Sequence, residues 1–322
     1  MPVLLNFCLF CFGIFFSSFI LRIGINILKE YSLDKPNQRS LHEKPIPRGG
    51  GLSFIIPLLS YDLFILCVGN FSSGVPLSLL CLPLIIISFL DDLFKVPSII
   101  RYLAQVISSF LVLYITNFEI SFTSSIIRIF AVITIIIIIT GLTNFTNFMD
   151  GSDGLVAGCM FILFLTLNFK LNYDPNLSIL LGSLLTFLFW NWPPAKVFMG
   201  DVGSNFLGIY FVANLLQLEN SEILGLIFIG SPLFGDALIT LLRRFISRQN
   251  IFQAHRKHLY QRLYLGGLSK QLISLYYISS CTFLSLIYFK LNFTYEIVAV
   301  SFVLLIMFII DGKYALSFKD TI

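Results

Sequence analysis

Long apolar runs alternate with short polar segments along the whole chain. A helix needs about 20 consecutive apolar residues to cross the hydrocarbon core of a bilayer. Some runs reach that length and several fall short of it. Eleven runs lie near residues 3–28, 52–69, 76–90, 98–117, 126–143, 155–169, 177–190, 204–218, 223–242, 271–289 and 295–310. The pattern predicts an all-α polytopic membrane protein with about eleven transmembrane helices, and ten is the alternative count.

The composition supports the same class. Apolar residues make up 57% of the 322 residues, charged residues only 12%, and the mean hydropathy is +0.89. These values lie far outside the range of soluble domains. We therefore expect residues 1–322 to form one integral membrane domain surrounded by a lipid bilayer, with no nucleic acid as partner. The first run has no small-residue cleavage site before Arg22, so we predict that it is retained as a span.

The distribution of Lys and Arg predicts the orientation, because cytoplasmic loops of membrane proteins are enriched in positive charge. When the loop after the first span is placed in the cytoplasm, seventeen Lys and Arg residues fall on the cytoplasmic side. Only Arg128, Lys170 and Lys290 fall on the other side. This predicts an inner-membrane, multi-pass protein whose N-terminus is outside and whose C-terminus is cytoplasmic.

The same orientation places every unusual polar cluster on the cytoplasmic face. The clusters are "DKPNQRSLHEKPIPRGGG", "DD", "NFTNFMDGSDG", "FMGDVGSN" and "HRKHLYQRL". They belong to predicted cytoplasmic loops near 29–51, 91–97, 144–154, 191–204 and 243–270. We therefore expect the chemistry to take place on the cytoplasmic face, whereas the short connections on the other face only close the helical bundle.

Five carboxylates occupy equivalent depths at this face. A carboxylate at the end of a span costs a few kcal/mol unless it is paired, so their convergence favours a bound cation. Hard oxygen ligands beside an anionic substrate suit Mg²⁺, with Mn²⁺ as the alternative. A solvated Asp pair balanced by Lys95, and a helix cap at Asp201, are the simpler structural interpretations. The five carboxylates are Asp91, Asp92, Asp150, Asp153 and Asp201.

Two further clusters add amides and imidazoles to these carboxylates. In a helix, Asn144, Asn147 and Asp150 would recur at a spacing that keeps them roughly on one face. A polar helix end followed by a turn explains only some of these residues. In "HRKHLYQRL", His255, His258 and their basic neighbours suit the binding of a diphosphate or a sugar. A positively charged cytoplasmic loop explains the basic residues but not the paired histidines.

The ordered motifs resemble those of the polyprenyl-phosphate N-acetylhexosamine-1-phosphate transferases. That family includes the phospho-N-acetylmuramoyl-pentapeptide transferase of peptidoglycan synthesis. The resemblance spans roughly residues 34–263 and rests on a "PRGGG" loop, DD, NxxNxxDGxDG, FMGDxGS and a His-containing basic loop. It implies Mg²⁺-dependent transfer of a sugar-1-phosphate from a UDP-N-acetylhexosamine to undecaprenyl phosphate, with release of UMP.

The resemblance also implies roles for individual residues. One of Asp91 and Asp92 is expected to act as base or nucleophile, and which of them acts stays open. Asp201 is the predicted metal ligand, either with Asn144 or with a member of the aspartate pair. The residues predicted to bind substrate are Arg48, Asn147, Asp150, Asp153, His255, Arg256 and His258.

Several alternatives stay open at this stage. "HRKHLYQRL" and "SLHEKPIPRGGG" favour the branch that starts O-antigen, teichoic acid or related polysaccharides over the peptidoglycan branch. A secondary transporter would bury its carboxylates at the bilayer midplane, and a non-enzymatic scaffold would not need to cluster them. Asp236 is a further carboxylate, for which we expect either pairing with Arg243 or Arg244 or a direct role. A homodimer is one alternative for the assembly.

Overall fold

A computed structural model of the chain describes residues 2–36, 41, 44–69, 75–116, 118, 124–250, 253 and 255–321. These residues are almost entirely helical. The helices are α1 (Pro2–Tyr31), α2 (Leu52–Cys67), α3 (Leu77–Leu80), α4 (Leu82–Phe94), α5 (Ser98–Ile115), α6 (Ser125–Met149), α7 (Leu155–Lys170), α8 (Pro175–Asn191), α9 (Gly200–Leu215), α10 (Asn220–Ile229), α11 (Ser231–Ile246), α12 (Leu259–Leu265), α13 (Lys270–Lys290) and α14 (Phe293–Tyr314). Strands β1 (Leu33–Asp34) and β2 (Ile46–Pro47) pair antiparallel.

Each of the eleven predicted apolar segments coincides with a helix or with two consecutive helices. Within the described residues, five helices are long and apolar enough to cross a membrane, namely α1, α5, α6, α13 and α14. The pair α10 and α11 would make a sixth span, broken by a bend of 78°. Helices α2, α7 and α8 are apolar but have only 16 or 17 residues. The prediction of an all-α membrane protein is therefore confirmed, whereas the count of eleven spans stays a prediction.

Helix α9 lies in the centre of the bundle. It packs against α4, α6, α2 and α7, and every one of its residues except Asp201 is buried. Helices that are apolar on all sides are found in the interiors of proteins, and α9 fits that description along "FLGIYFVANL". The start of α9 is consequently a fixed point around which the other polar helix ends are arranged.

The outer surface of the bundle is strongly apolar. Phe15 of α1, Phe130 of α6 and Phe308 of α14 expose 75%, 67% and 67% of their surface. Large exposed aromatic side chains over so much of a surface would be costly in water, because apolar area of this extent is normally removed from it. The surface therefore matches a bilayer as the surrounding medium.

The predicted polar loops prove to be helix ends in large part. Helix α6 continues to Met149, six residues past the predicted apolar segment, and carries Asn144 and Asn147 on helical backbone. Likewise α4 includes the aspartate pair, and α9 already begins at Gly200. Of the first predicted loop, residues 37–40 and 42–43 lie outside the described residues. The segments near 91–97, 144–154 and 191–204 are therefore partly helical.

Candidate active site

Asp92 holds the start of α9 against the end of α4. Its Oδ1 accepts a hydrogen bond from the backbone N–H of Asp201 at 2.9 Å, and its Oδ2 accepts one from Val202 at 3.1 Å. A carboxylate in this position satisfies two otherwise unpaired N–H groups and complements the positive end of the helix dipole. Gly200 has a φ of +78°, and a Cβ there would lie 2.4 Å from Asp92 Oδ2. Glycine is therefore required at this turn.

The "PRGGG" loop lies directly against the start of α9. The N–H groups of Gly50 and Gly51 donate to the carbonyls of Phe198 and Met199, both at 2.9 Å. A Cβ on Gly51 would meet the Cα of Gly203 at 2.4 Å, so only glycine permits this approach. The contact fixes the backbone of Arg48, whose guanidinium then reaches the carboxylates.

Three carboxylates and two guanidinium groups form the centre of the site. Arg48 binds Asp92 through Nε at 2.8 Å and Asp201 through Nη2 at 2.5 Å. Nη1 of Arg101, at the start of α5, lies 2.9 Å from Asp91 Oδ2 and 3.3 Å from Asp201 Oδ2. Asp201 therefore bridges both arginines. Sequence reasoning assigned Arg101 only to the positively charged cytoplasmic side and missed its place in the site.

The charge balance of this cluster is negative, because three carboxylates face two guanidinium groups. Burial raises the pKa of Asp92 to about 7 against the effect of Arg48, and Asp201 adds to the rise. Burial, followed by the charges of Asp92 and Asp201 among others, also raises the pKa of Asp150 well above its ordinary value, although Arg48 opposes the rise. Added positive charge would therefore stabilise the ionised cluster.

Two residues of α6 were predicted to lie on one face, and they make different contacts. Asn147 Nδ2 donates to Asp201 Oδ1 at 3.0 Å and to Ser204 Oγ at 2.9 Å, so Asn147 belongs to the centre. Asn144 forms a reciprocal amide pair with Gln105, both hydrogen bonds measuring 3.0 Å. The side-chain oxygen of Asn144 is thus already occupied, which does not favour its predicted role as a metal ligand.

Asp153 lies outside this centre. It is 4% exposed, its Oδ1 pairs with Lys270 at 2.8 Å, and its Oδ2 accepts the N–H of Ala195 at 3.1 Å. The side chain thereby joins the start of α7 to α13 and to the loop before α9. These contacts explain Asp153 as a structural ion pair rather than as a substrate ligand. Asp150, three residues earlier, is half-buried, and the charges of Arg48 and Asp201 act on its carboxyl group.

The histidine loop reaches the end of α6 through aromatic contacts. The ring of His258 lies 4.9 Å from that of His255 and 6.2 Å from that of Phe148. The hydroxyl of Tyr260 donates to the carbonyl of Phe148 at 3.2 Å. His258 therefore borders the end of α6, and His255 packs against His258, with Arg256 half-buried in the same loop.

Both histidines are neutral at physiological pH. Burial lowers the pKa of His258 to about 3, and burial, followed by the repulsion that a protonated His258 would exert, lowers the pKa of His255 to about 3. A neutral imidazole binds through one donor and one acceptor nitrogen rather than through charge. The loop can thus recognise a sugar or a nucleotide by hydrogen bonds.

Asp236 holds this loop in place. Its two oxygens accept hydrogen bonds from the backbone N–H groups of Leu259 and Tyr260 at 2.7 and 3.2 Å, and its Oδ2 also accepts one from Tyr277 at 2.8 Å. Arg243 pairs with Asp311 instead, at 2.6 Å. Of the two pairings expected for Asp236, the one with Arg243 is wrong, and Arg244 donates hydrogen bonds to the carbonyls of Asn250 and Gln253. The carboxylate instead binds the backbone at the start of α12, a contact that the sequence did not reveal.

The donor set of the centre suits a hard divalent cation, because the side chains of Asp91, Asp92 and Asp201 offer only oxygen. Among the residues that the structure describes, no three His, Cys, Asp and Glu side chains form a ready metal-binding group. Arg48 and Arg101 occupy the carboxylate oxygens in this arrangement. A bound metal would have to displace or share these guanidinium contacts.

Comparison with known proteins gives consistent matches. The sequence model of glycosyl transferase family 4 matches residues 75–219, which contain the centre except for Arg48. A probable undecaprenyl-phosphate N-acetylglucosaminyl 1-phosphate transferase of Bacillus subtilis is 28% identical over 283 residues, covering 78% of this chain and 74% of the relative. An undecaprenyl-phosphate alpha-N-acetylglucosaminyl 1-phosphate transferase of Thermotoga maritima is 28% identical, covering 70% of each chain.

A phospho-N-acetylmuramoyl-pentapeptide-transferase of Listeria monocytogenes is 32% identical over 219 residues. This match covers 59% of the chain and 68% of the relative. The names of the two kinds of relative thus specify different transferred groups. None of these matches bears on the homodimer that the sequence left open.

Proposed function

Because the chain belongs to glycosyl transferase family 4, we propose that it transfers an N-acetylhexosamine-1-phosphate unit from a UDP-sugar to undecaprenyl phosphate. The lipid phosphate oxygen attacks the phosphorus that carries the sugar, and the bond from that phosphorus to UMP breaks. The products are UMP and a lipid-linked diphospho-sugar. Such a product would start a cell-envelope polysaccharide of the O-antigen or teichoic acid type.

The observation that carries this proposal is the cluster of three carboxylates and two arginines at the start of the buried helix α9. Joining two phosphate groups requires that their charges be neutralised and that they be held in line. Arg48 and Arg101 are placed to bind phosphate oxygens once a metal or a substrate releases them from the carboxylates. Guanidinium groups suit this role because they bind phosphate through two parallel hydrogen bonds.

We assign different roles to the two adjacent aspartates. Asp92 has both oxygens on the backbone of α9, and its side chain is only 1% exposed. It is therefore a positioning residue. The side chain of Asp91 is 11% exposed and is bound by Arg101. Asp91 is the better candidate for contact with the acceptor phosphate.

Mg²⁺ is the proposed cofactor, held by Asp201 together with Asp91, because both oxygens of Asp92 are bound to the backbone of α9. When bound, it would neutralise phosphate charge and the excess negative charge of the cluster. Asn147 would orient Asp201 through the hydrogen bond that the structure already contains. Asn144 is omitted from this set because Gln105 occupies its oxygen.

We place the site on the cytoplasmic face of the inner membrane, with the N-terminus outside. The unequal distribution of Lys and Arg supports this orientation. It also matches the chemistry, because a nucleotide-sugar is a cytosolic substrate and the polyprenyl acceptor is anchored in the bilayer. The carboxylates cluster at helix ends, which does not match the midplane sites of transporters.

The identity of the UDP-sugar donor is the most specific part of the proposal. The two N-acetylglucosaminyl relatives cover 70% or more of this chain, which favours UDP-N-acetylglucosamine. The Listeria relative keeps the muramoyl-pentapeptide donor as the second candidate.

A donor panel tests the proposal. The purified protein is incubated with undecaprenyl phosphate, Mg²⁺ and one radiolabelled donor at a time, and lipid-linked product is extracted into butanol. The donors are UDP-GlcNAc, UDP-GalNAc, a 6-deoxy N-acetyl UDP-sugar and UDP-MurNAc-pentapeptide. We expect product and UMP in equal amounts with UDP-GlcNAc, and loss of both after chelation. Product from the pentapeptide donor alone would assign the chain to the peptidoglycan reaction instead.

A further inference from the structure

The segment that follows α14 folds back onto the helix that carries the histidine loop. The N–H of Leu316 donates to the carbonyl of Arg262 at 3.0 Å, and Nη1 of Arg262 donates to the carbonyl of Leu316 at 3.0 Å. Gly266 is in close contact with the same region, since a Cβ there would lie 2.0 Å from the carbonyl oxygen of Tyr314. The 315–321 segment is therefore docked against α12 through backbone and side-chain contacts.

Arg262 links this segment to the loop that bears the two histidines. The side chain is 3% exposed, and its Nε donates to the carbonyl of Lys257 at 3.1 Å. Its Nη2 pairs with Asp311 of α14 at 2.7 Å. One buried guanidinium thus holds the loop, the end of α14 and the 315–321 segment together. Its donors are used inside the protein, so Arg262 is not placed to bind a substrate.

Phe318 adds a second link to the same loop. Three cationic side chains lie over its ring, with Lys257 at 5.3 Å, Arg262 at 5.6 Å and Arg243 at 5.8 Å from the centroid. Cation–π contacts are favourable, and more so where the groups are desolvated. Lys257 immediately precedes His258 in the chain. The contact with Phe318 therefore restrains the residue next to this histidine.

The segment itself has a defined shape. The hydroxyl of Thr321, a residue that is 4% exposed, donates to the carbonyls of Ser317 and Phe318, and the N–H of Asp320 donates to the carbonyl of Ser317. These hydrogen bonds close a compact turn around Phe318. The ring is therefore presented to the cations by a folded turn.

We propose that the 315–321 segment is a strap that holds residues 255–258 in the conformation that binds the sugar-nucleotide donor, with Phe318 and Arg262 as its positioning residues. Within the loop, Lys257 makes both contacts: its carbonyl accepts from Arg262 and its ammonium group lies over the ring of Phe318. The kinetic consequence rests on the proposed function, whereas the structural consequence, an ordered loop, does not. Loss of the strap weakens donor binding and leaves the carboxylate centre intact.

The test compares Phe318→Ala with Phe302→Ala. Phe302 lies in α14 and is 54% exposed, so its replacement removes an equal side chain away from the loop. Phe318→Tyr keeps a ring under the cations and serves as the conservative variant. Hydrogen exchange of residues 255–265 measures the order of the loop, and steady-state kinetics measure KM for donor and acceptor separately.

For Phe318→Ala we expect faster exchange of the loop and a donor KM raised about tenfold, because the ring that Lys257, Arg262 and Arg243 contact is removed. The acceptor KM and kcat should stay close to those of the wild type, as should every value for Phe302→Ala and Phe318→Tyr. Unchanged loop exchange in Phe318→Ala would overturn the strap. Faster exchange with an unchanged donor KM in an active enzyme would overturn its role in donor binding.

Failure of the proposed function is distinguishable from failure of the strap. If the wild-type protein transfers no sugar-phosphate from any donor, the transferase proposal fails together with the donor-binding role. The exchange measurement then decides the structural part alone, and faster loop exchange in Phe318→Ala but not in Phe302→Ala would still support it.

Discussion

Asp201 is the one residue of α9 that is not buried, and it is bound by Arg48, Arg101 and Asn147 at once. Although burial acts in the other direction, Arg48 holds the pKa of Asp201 below its ordinary value. The ionised form is therefore favoured at this position.

Replacing Arg101, which the sequence did not assign to the site, tests whether its guanidinium contributes to catalysis. We expect Arg101→Ala to lower kcat/KM by about 100-fold, because a donor aimed at developing phosphate charge is lost. Arg101→Lys should lose less, since it keeps the charge but not the planar fork. Thermal stability and steady-state kinetics in detergent are the measurements. Lys290→Ala, at the exposed end of α13, is the control. Equal kinetics in Arg101→Ala and Lys290→Ala would contradict the assignment.

His258 predicts how stability depends on pH. Its folded pKa of about 3 lies below the ordinary value, so the unfolded chain binds more protons as the pH falls below about 6.5. Stability should therefore be lost on acidification, by about 2 kcal/mol at about pH 5 from this residue. Thermal unfolding at several pH values measures the effect. The dependence should be weaker in His258→Gln, and an equally steep dependence in that variant would exclude His258 as its source.

At the scale of elements, the site is built from helix ends that meet at the start of α9. The sequence predicted Asp91, Asp92, Asn147 and Asp201 because polar residues interrupt apolar runs at one face. It could not predict Arg101, since an arginine at the start of a span has the same appearance whether it serves orientation or chemistry. Nor could it predict that Gln105 occupies the oxygen of Asn144. These two residues are 39 positions apart in the chain and lie in different helices.

The packing of the "PRGGG" loop on α9 can be tested with two glycines. A Cβ on Gly51 would collide with the backbone of Gly203, which cannot rotate away, whereas a Cβ on Gly141 of α6 would meet nothing within 4 Å. We expect Gly51→Ala to destabilise the protein by about 1 to 3 kcal/mol and to reduce activity through Arg48.

Gly141→Ala is the matched control and should be neutral or slightly stabilising, because alanine favours helix. Thermal unfolding and transfer activity of both variants are the measurements. Similar melting temperatures for the two would show that the loop and α9 are not in contact as described.

At the scale of the whole molecule, hydropathy predicted the helices well and their lengths less well. All eleven apolar segments are helical, but the segment 223–242 is broken at the junction of α10 and α11 by a 78° bend. Ser231 and Pro232 follow Gly230 there, and a proline at the start of a helix is compatible with a new helix direction. Hydropathy averages over such a break and therefore could not reveal it.

The orientation can be tested with single cysteines in a background that lacks the six native ones. We expect Lys196→Cys to react with a membrane-impermeant maleimide only from the cytoplasmic side, and Lys290→Cys only from the outside. The physical reason is the excess of positive charge that is retained in the cytoplasm. Labelling in intact spheroplasts and in inverted vesicles distinguishes the two sides. The reverse pattern would place the carboxylate centre outside the cell.

The most direct measurement is UMP release from UDP-GlcNAc by two asparagine variants of matched chemistry. Asp201→Asn removes the central carboxylate, whereas Asp174→Asn changes the cap of α8, where Asp174 Oδ1 accepts the N–H of Leu177 at 3.0 Å. With undecaprenyl phosphate and Mg²⁺ present, Asp201→Asn should lose UMP release while its melting temperature is retained, and Asp174→Asn should stay active. Wild-type release by a folded Asp201→Asn protein would contradict the account.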